Sequence, residues 1–364
     1  MRVHVVDPSA FTPPYDHALC AALAATGADV ELVTSSFAYG PVAEPAGYER
    51  RELFYRAAGR VGSPPLRRVA KLAEHVPDML RYRRAARAAD IVHFQWLAVQ
   101  QLDWALLPPG RPLVITAHDV LPREPAPGQR RGQRRVYGRF DAVVVHSEHG
   151  RRRLVEELGI AAERVHVIPH GVLEHLAAAP PAPAPFETEL PVVLCFGLMR
   201  PYKGIDLLLD AWRGIEGAEL WVAGMPRMDI APLEAAAPPN VRFVPRFIGD
   251  DELHAYFRRA DLVVLPYREI DQSGVLFTAL AFGRPLLLSD VGGFPEIAST
   301  GAARTFPAGD AAALHSALGE LLGDAGEREL LAARAAGLAA GDYSWGEIGR
   351  RTLALYESLL AARG

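Results

Sequence analysis

The stretch Phe196-Gly197-Leu198-Met199-Arg200-Pro201-Tyr202-Lys203-Gly204 decides the fold class of this chain. It follows an apolar run, Val192–Cys195, and precedes a helical pattern that begins at Ile205. This order predicts a parallel strand whose carboxyl end carries Arg200 and Lys203. Ligands of open α/β sheets bind at the carboxyl ends of strands, and these two cations suit phosphate oxygens. The stretch therefore predicts a phosphate-binding turn, with a solvated basic turn as the alternative.

The same alternation of short β-branched runs and helical patterns fills both halves of the chain, which predicts two parallel sheets. The predicted strands of the first half are Val3–Val6, Val30–Val33, Ile91–Phe94, Leu113–Thr116, Ala142–His146 and Val165–Ile168. Those of the second half lie near 192–196, 219–223, 241–244, 262–265 and 285–288. We predict a first domain over 1–178, a Pro/Ala linker over 179–190, a second domain over 191–344 and a C-terminal helix over 345–364 that packs back on the first domain.

Composition and length favour an ordinary soluble globular protein with two domains. It has 364 residues, of which 50% are hydrophobic and 23% charged, and a chain of this length favours two domains. No run approaches the ~18 apolar residues of a membrane span, and the N-terminus reads as a strand rather than a signal peptide. Cys20 and Cys195 lie in apolar patterns, so we expect buried free thiols in a reducing compartment.

Charge is distributed unevenly along the chain. Residues 1–180 hold 23 basic and 19 acidic residues, whereas residues 181–364 hold 16 and 24. Within 50–87 there are 11 basic residues and three acidic ones. This stretch predicts peripheral contact with the inner face of an anionic membrane, or with a phosphorylated acceptor; the alternative is a solvated arginine-rich surface. No nucleic-acid-binding motif accompanies the charge, so we expect no nucleic-acid partner.

A second phosphate-directed element follows the predicted strand at 262–265. The strand enters a loop that carries Glu269 and Asp271, and Ser273-Gly274 then opens an apolar helix. Free backbone N–H groups at a helix start bind anions, and the two carboxylates suit sugar hydroxyls. An ordinary N-capped helix after a surface loop is the alternative.

These motifs together resemble the donor domain of the retaining GT-B glycosyltransferases of family 4. The matching pieces are Gly197…Arg200-Pro201-Tyr202-Lys203-Gly204, Ala260-Asp261-Leu262-Val263-Val264-Leu265-Pro266, Gln272-Ser273-Gly274-Val275, Ala281-Phe282-Gly283-Arg284-Pro285 and Asp290-Val291-Gly292-Gly293-Phe294-Pro295-Glu296. The first half is similar to the family more loosely, through Thr116-Ala117-His118-Asp119 and Ile168-Pro169-His170-Gly171-Val172. The resemblance implies an α/β protein with the GT-B fold, in which two Rossmann-like domains face each other across a cleft.

The resemblance also implies roles for individual residues. Diphosphate binding falls to Arg200, Lys203 and the amides of Ser273, Gly274 and Val275, and the nucleotide and ribose fall to Thr278 and Phe247. Glu269 corresponds to the acid that faces the donor sugar, with Asp271 as the competing assignment. His118 would reach the same sugar from the first domain. No metal and no further cofactor is expected, because cations and amides already offset the diphosphate charge.

Three departures from the family pattern are visible. Leu198 stands where an arginine is common, so Arg200 is expected to supply that charge. Thr278 replaces a glutamate that contacts the ribose in relatives. The segment Phe11–His17 replaces a glycine pair in the first βα loop.

The predicted function is therefore that of a hexosyltransferase active in glycan assembly. It would transfer a sugar from a nucleotide-diphosphate donor to a glycan, lipid-linked or small-molecule acceptor, with retained anomeric configuration. Without a clear pair of flanking carboxylates, the resemblance implies front-face attack rather than double displacement. The alternatives are a GT-B epimerase or phosphorylase and a non-catalytic nucleotide-sugar-binding protein. A dehydrogenase is disfavoured, because neither sheet begins with Gly-x-Gly-x-x-Gly.

Overall fold

The computed structural model describes residues 1–37, 40, 42–120, 129–178 and 183–363. The chain divides into two compact units. Unit 1 comprises Met1–His170 and the chain from Trp345 onward, and unit 2 comprises Gly171–Ser344. Part of the predicted linker, 179–182, lies outside the described residues. Each unit contains one parallel sheet.

Unit 1 is built around seven strands in the order β3-β2-β1-β4-β5-β6-β7, each paired in parallel with its neighbours. The strands are β1 (Arg2–Asp7), β2 (Asp29–Ser35), β3 (Glu49–Phe54), β4 (Ile91–Phe94), β5 (Leu113–Thr116), β6 (Ala142–Val145) and β7 (Val165–Val167). The helices are α1 (Pro13–Ala25), α2 (Pro64–Ala85), α3 (Gln100–Leu106), α4 (Gln129–Tyr137) and α5 (Glu148–Leu158). The strand order reverses between β1 and β4, and open α/β sheets commonly bind ligands at such a point.

Unit 2 repeats this arrangement with six strands in the order β10-β9-β8-β11-β12-β13, again all parallel. The strands are β8 (Val192–Phe196), β9 (Glu219–Ala223), β10 (Val241–Val244), β11 (Leu262–Leu265), β12 (Leu286–Ser289) and β13 (Ala303–Phe306). The helices are α6 (Glu174–Ala177), α7 (Ile205–Trp212), α8 (Ala231–Ala236), α9 (Asp250–Arg259), α10 (Gly274–Ala281), α11 (Phe294–Ser299), α12 (Ala311–Gly323) and α13 (Ala325–Ala340). The strand order reverses between β8 and β11. Both predicted phosphate-directed loops follow these two strands.

The last helix, α14 (Trp345–Ala361), belongs to unit 1. It packs along α1, and the buried hydroxyl of Tyr356 lies 2.6 Å from Nδ1 of His93 in β4. Ile348 and Tyr356 are fully buried in the same cluster as the β1 residue Val3. The core of unit 1 therefore includes the C-terminal part of the chain.

The predicted α/β class with two Rossmann-like units is confirmed. Two strands were missed, β3 and β13. The sequence of β3, Glu-Arg-Arg-Glu-Leu-Phe, is charged because β3 is an edge strand, and Arg51 pairs with Glu31 of β2 at 3.3 Å. Edge strands tolerate charge that interior strands exclude. The short strand β13 has an exposed threonine and gives little apolar signal.

Both cysteines, Cys20 and Cys195, are buried free thiols, as predicted. Among the described helices, none combines the length and the hydropathy that crossing a bilayer requires.

Candidate functional site

The side chain of Lys203 lies buried at the carboxyl edge of the unit 2 sheet. Only 7% of the residue is exposed, and Nζ donates a 2.6 Å hydrogen bond to the hydroxyl of Tyr267, which follows β11. Nζ also lies 4.4 Å from the centroid of the Tyr267 ring, within range of a cation–π contact. Tyr267 Oη lies 3.4 Å from Ser273 Oγ at the start of α10. One polar chain thus joins the turn after β8 to the start of α10.

The start of α10 lies against the same lysine. A Cβ added at Gly197 would lie 3.1 Å from Lys203 Nζ and 3.1 Å from Val275 Cγ2. The first amides of a helix have no intrahelical acceptor, and within the described part of the chain the Ser273 side chain makes no capping bond. Beside Gly274 no atom of the described residues lies within 4 Å of an added Cβ, so the space is open. The structure therefore brings together Lys203, Ser273, Gly274 and Val275.

The turn itself is clamped onto the loop after β11. Gly204 has φ +68°, and a Cβ there would lie 2.0 Å from the carbonyl oxygen of Pro266. Arg268 donates through its backbone N–H to Tyr202 O at 2.7 Å and through its guanidinium to Pro201 O at 2.8 Å. The guanidinium also holds both oxygens of Asp206, at 2.8 and 2.7 Å. These contacts hold the two predicted motifs in one arrangement.

Arg200 and Arg227 supply exposed positive charge at this edge. The segment around Arg200 pairs with the loop after β9: Met199 N donates to Met225 O and Arg227 N donates to Met199 O, both at 2.9 Å. Within the described part of the chain, neither guanidinium has an ion pair or hydrogen-bond acceptor. Arg227 could not be identified from the sequence, because only strand pairing places its segment beside that of Arg200.

The remaining candidates of unit 2 are less closely connected to Lys203. The hydroxyl of Thr278 donates to the Gly274 carbonyl at 3.0 Å, so the helix backbone already uses it. Phe247 is 68% exposed, and its ring contacts no other aromatic ring among the described residues. Glu269 is exposed and Asp271 half-buried in the loop before α10. The choice between these two carboxylates as the sugar-facing acid stays open.

In unit 1, His118 follows β5 and lies in a cluster of aromatic side chains. Its ring stacks on Trp96 at 4.9 Å and meets Tyr15 edge-on at 4.7 Å. His118 Nε2 lies 3.1 Å from Gln95 Oε1, and Nδ1 lies 3.2 Å from His146 Nε2. Both ring nitrogens therefore already have protein partners, so a ligand would have to replace one of them.

The hydrogen bonds of this cluster determine its tautomers. His146 Nδ1 lies 3.0 Å from the carbonyl of Ile168 and must donate, so its Nε2 accepts from Nδ1–H of His118. Burial holds the pKa of His118 well below its usual value and lowers the pKa of His146 to about 4. Both rings are then neutral at pH 7, and His118 Nε2 is an acceptor. The amide nitrogen of Gln95 has no partner within the described ranges, and it donates to His118 Nε2 when the amide is turned over.

A small pocket opens beside His118. Trp96, Asp119 and Gln133 are among the residues that line it. Across the described ranges, no three His, Cys, Asp or Glu side chains are grouped so that they would hold a metal ion. The polar groups that line this pocket are suited to hydroxyl-bearing ligands.

Comparison with known proteins matches both units to families. Residues 15–173 match the family model described as Glycosyltransferase Family 4, and residues 190–324 match the model described as Glycosyl transferases group 1. The D-inositol 3-phosphate glycosyltransferase of Nocardia farcinica is 30% identical over 303 residues, 74% of this chain and 67% of the relative. The phosphatidyl-myo-inositol mannosyltransferase of Mycobacterium leprae is 29% identical over 282 residues, 74% of each chain. A crystal structure of Anabaena HepE in complex with UDP-glucose superimposes with a TM-score of 0.73 at 18% identity, over 98% of this chain and all of that one.

Proposed function

The chain belongs to the family 4 glycosyltransferases with the GT-B fold, and on that premise we propose that it transfers a hexose from a nucleotide diphosphate to an acceptor hydroxyl with retention. One observation carries this proposal. Lys203 Nζ and Val275, at the open start of α10, both lie against Gly197. An ammonium group beside free amides is a site for a diphosphate.

The diphosphate is the leaving group, and its charge grows as the sugar departs. Lys203 and the amides of α10 supply fixed positive charge at that place, and the exposed guanidinium of Arg200 supplies more. Such preorganised electrostatic stabilisation is a large part of many enzymatic rate enhancements. We assign these groups the work that a divalent ion would otherwise do, so transfer is proposed to need no metal.

Retention is proposed to follow from attack on the face that the diphosphate leaves. The bond between the anomeric carbon and the phosphate oxygen breaks, and the acceptor oxygen bonds to that carbon on the same face. The acceptor proton passes to the departing phosphate oxygen. Glu269 and Asp271 lie two residues apart on one loop, which does not favour their acting as the flanking carboxylate pair of a double displacement. One of them is assigned to the sugar hydroxyls, and His118 to the orientation of the sugar.

The acceptor is proposed to be a phosphate-bearing polyol or a lipid-linked glycan. Two relatives are named for inositol phosphate and phosphatidylinositol acceptors. Residues 1–180 of this chain carry an excess of basic over acidic residues, which favours an anionic acceptor. We propose that the protein acts in the cytoplasm, because its buried free thiols are typical of a reducing compartment.

A thermal-shift screen tests the donor assignment. UDP, GDP, ADP and TDP, each with its sugars, are added to the full chain, because a ligand that binds the native state raises its apparent stability. One nucleotide diphosphate is expected to stabilise the chain and to lose this effect in Lys203→Met. If no nucleotide shifts the wild-type transition, the proposal is wrong. The product formed from the stabilising donor then shows the anomeric configuration by NMR.

Two observations favour a second candidate function, that of a nucleotide-sugar-binding protein without catalytic turnover. The Thr278 hydroxyl and both ring nitrogens of His118 are engaged within the protein. Incubation of the donor alone and with extracted acceptors separates the candidates. A transferase consumes the donor when acceptor is present, an epimerase converts it without acceptor, and a binding protein leaves it intact.

A further inference from the structure

The outward face of α2 in unit 1 carries an uncovered apolar stripe. Leu66, Val69 and Leu72 are each at least 60% exposed, and Val76 and Leu80 continue the stripe at 37% and 44%. Their spacing of three or four residues places all five on one side of the helix. Soluble proteins rarely leave such a row of aliphatic side chains in water without a function for it.

Among the described residues of α2, no carboxylate lies on that face. The two acidic residues of α2 are Glu74 and Asp78. Both accept hydrogen bonds from the backbone after β3 and so hold the helix against the rest of unit 1. Glu74 Oε1 accepts from Ala58 N at 3.1 Å, and Asp78 Oδ2 accepts from Tyr55 N at 2.8 Å. Asp78 also pairs with Arg81 at 2.6 Å, so the acidic residues of α2 neutralise one exposed arginine of the helix.

Arginines accompany the stripe. Arg68 and Arg84 of α2, and Arg87 just beyond its end, are exposed, and their guanidinium groups have no ion pair or hydrogen-bond acceptor in the described part of the chain. Lys71 is different, because its ammonium group lies 5.1 Å from the centre of the Tyr55 ring. The outer surface of α2 thus combines aliphatic side chains with unneutralised positive charge.

We propose that the outward face of α2 binds the surface of an anionic phospholipid bilayer. The 22 residues of α2 span about 33 Å, so the helix lies in the plane of the interface with its stripe among the acyl chains and its arginines at the headgroup phosphates. The charge argues against a second copy of this chain, since a symmetric contact would set these arginines against each other. The stripe also lacks the aromatic and methionine side chains in which protein interfaces are enriched.

Flotation of the full chain with vesicles tests this proposal. The vesicles are pure phosphatidylcholine or phosphatidylcholine with one-third phosphatidylglycerol, each at low and high salt. Val69→Asp combined with Leu72→Asp changes the stripe, and Arg84→Glu combined with Arg87→Glu changes the charge. Leu330→Asp is the matched control, because Leu330 of α13 in unit 2 is 54% exposed. Circular dichroism and light scattering without lipid accompany each variant.

The wild type is expected to bind the anionic vesicles at least tenfold more tightly than the neutral ones, and to bind less tightly at high salt. Both double variants should lose at least tenfold in this binding, while Leu330→Asp should match the wild type. Equal binding to both vesicles, or unchanged binding of the stripe variant, would overturn the proposal. So would a dimer in solution that the stripe variant dissociates, since the face would then be a protein interface. No nucleotide sugar is present, so the outcome is independent of the transfer reaction.

Discussion

Lys203 Nζ lies 2.6 Å from the hydroxyl of Tyr267, although 64 residues separate them in the sequence. The contact exists because β8 and β11 are neighbours in the sheet, which brings the ends of both strands to one edge. Because only 7% of Lys203 is exposed, its ammonium group needs such a partner, since burying a charge without one is costly. The pair therefore holds a positive charge in place where the proposed diphosphate departs.

Replacing Lys203 should reduce transfer strongly. Lys203→Met keeps the aliphatic stem and removes the charge, and we expect kcat/KM to fall by about 10²–10³-fold, as for other preorganised electrostatic contacts. Steady-state kinetics with the stabilising donor measures this. Arg213→Ala removes an exposed arginine that pairs with Asp210 at 3.6 Å and should leave the rate unchanged. Near-normal turnover of Lys203→Met would rule out its assignment to the diphosphate.

Tyr267→Phe tests whether the hydroxyl positions the ammonium group. The ring and its cation–π contact remain, but Lys203 and Ser273 lose the oxygen between them. We expect about 1 kcal/mol loss of stability and roughly tenfold weaker nucleotide binding, measured by denaturation and calorimetry. Tyr82→Phe is the control, because the buried Tyr82 hydroxyl has no hydrogen-bond partner among the residues that the structure describes. Equal effects of the two substitutions would contradict a positioning role for Tyr267.

Gly204→Ala should destabilise unit 2 far more than Gly214→Ala. Both glycines have positive φ, +68° and +82°, so each alanine carries a conformational cost of about 1 kcal/mol. At Gly214 no atom lies within 4 Å of the added Cβ, whereas at Gly204 it would lie 2.0 Å from Pro266 O. The urea midpoint should therefore drop much further for Gly204→Ala than for Gly214→Ala, and Gly204→Ala should also abolish nucleotide binding. Similar midpoints for both variants would show that the turn yields without cost.

Much of this arrangement could be predicted from local sequence, and some of it could not. The strand, turn and helix around Lys203 follow from apolar patterning, and the α/β class and the family are confirmed. Tyr267, Arg227 and Arg268 were missed, because their contacts depend on which strands are neighbours rather than on local sequence. The roles assigned to His118, Glu269 and Asp271 stay predictions.

Asp16→Asn should stabilise unit 1 at neutral pH. Burial and the neighbouring Asp7 raise the pKa of Asp16 well above its usual value, and Asp7 already accepts from the backbone N–H of Phe11 and Thr12. Native Asp16 thus keeps a proton that the unfolded chain releases above about pH 3.9, so stability falls as pH rises toward the native pKa. Asparagine donates to Asp7 without holding a titratable proton. Unfolding at pH 5 and pH 8 should show a smaller decrease with pH in the variant; an unchanged pH dependence would mean that Asp16 is ionised in the native state.

The histidines of unit 1 should produce the opposite pH dependence. Burial lowers the pKa of His146 to about 4 and that of His93 to about 3. The unfolded chain binds protons at these residues below about pH 6.5, and the native state binds them only near pH 4 and below. The contribution of these histidines to stability is therefore complete above pH 6.5 and falls as pH decreases toward 4, by up to about 1.4 kcal/mol per pH unit for each histidine. Hydrogen exchange of the β6 amides (Ala142–Val145) at pH 7, 6 and 5, corrected for the intrinsic rate, measures this decrease locally.

His146→Asn removes one titrating group while its amide can still donate to Ile168 O, so the exchange of the β6 amides in this variant should depend less on pH. An equal pH dependence in this variant would place the protonation elsewhere in unit 1.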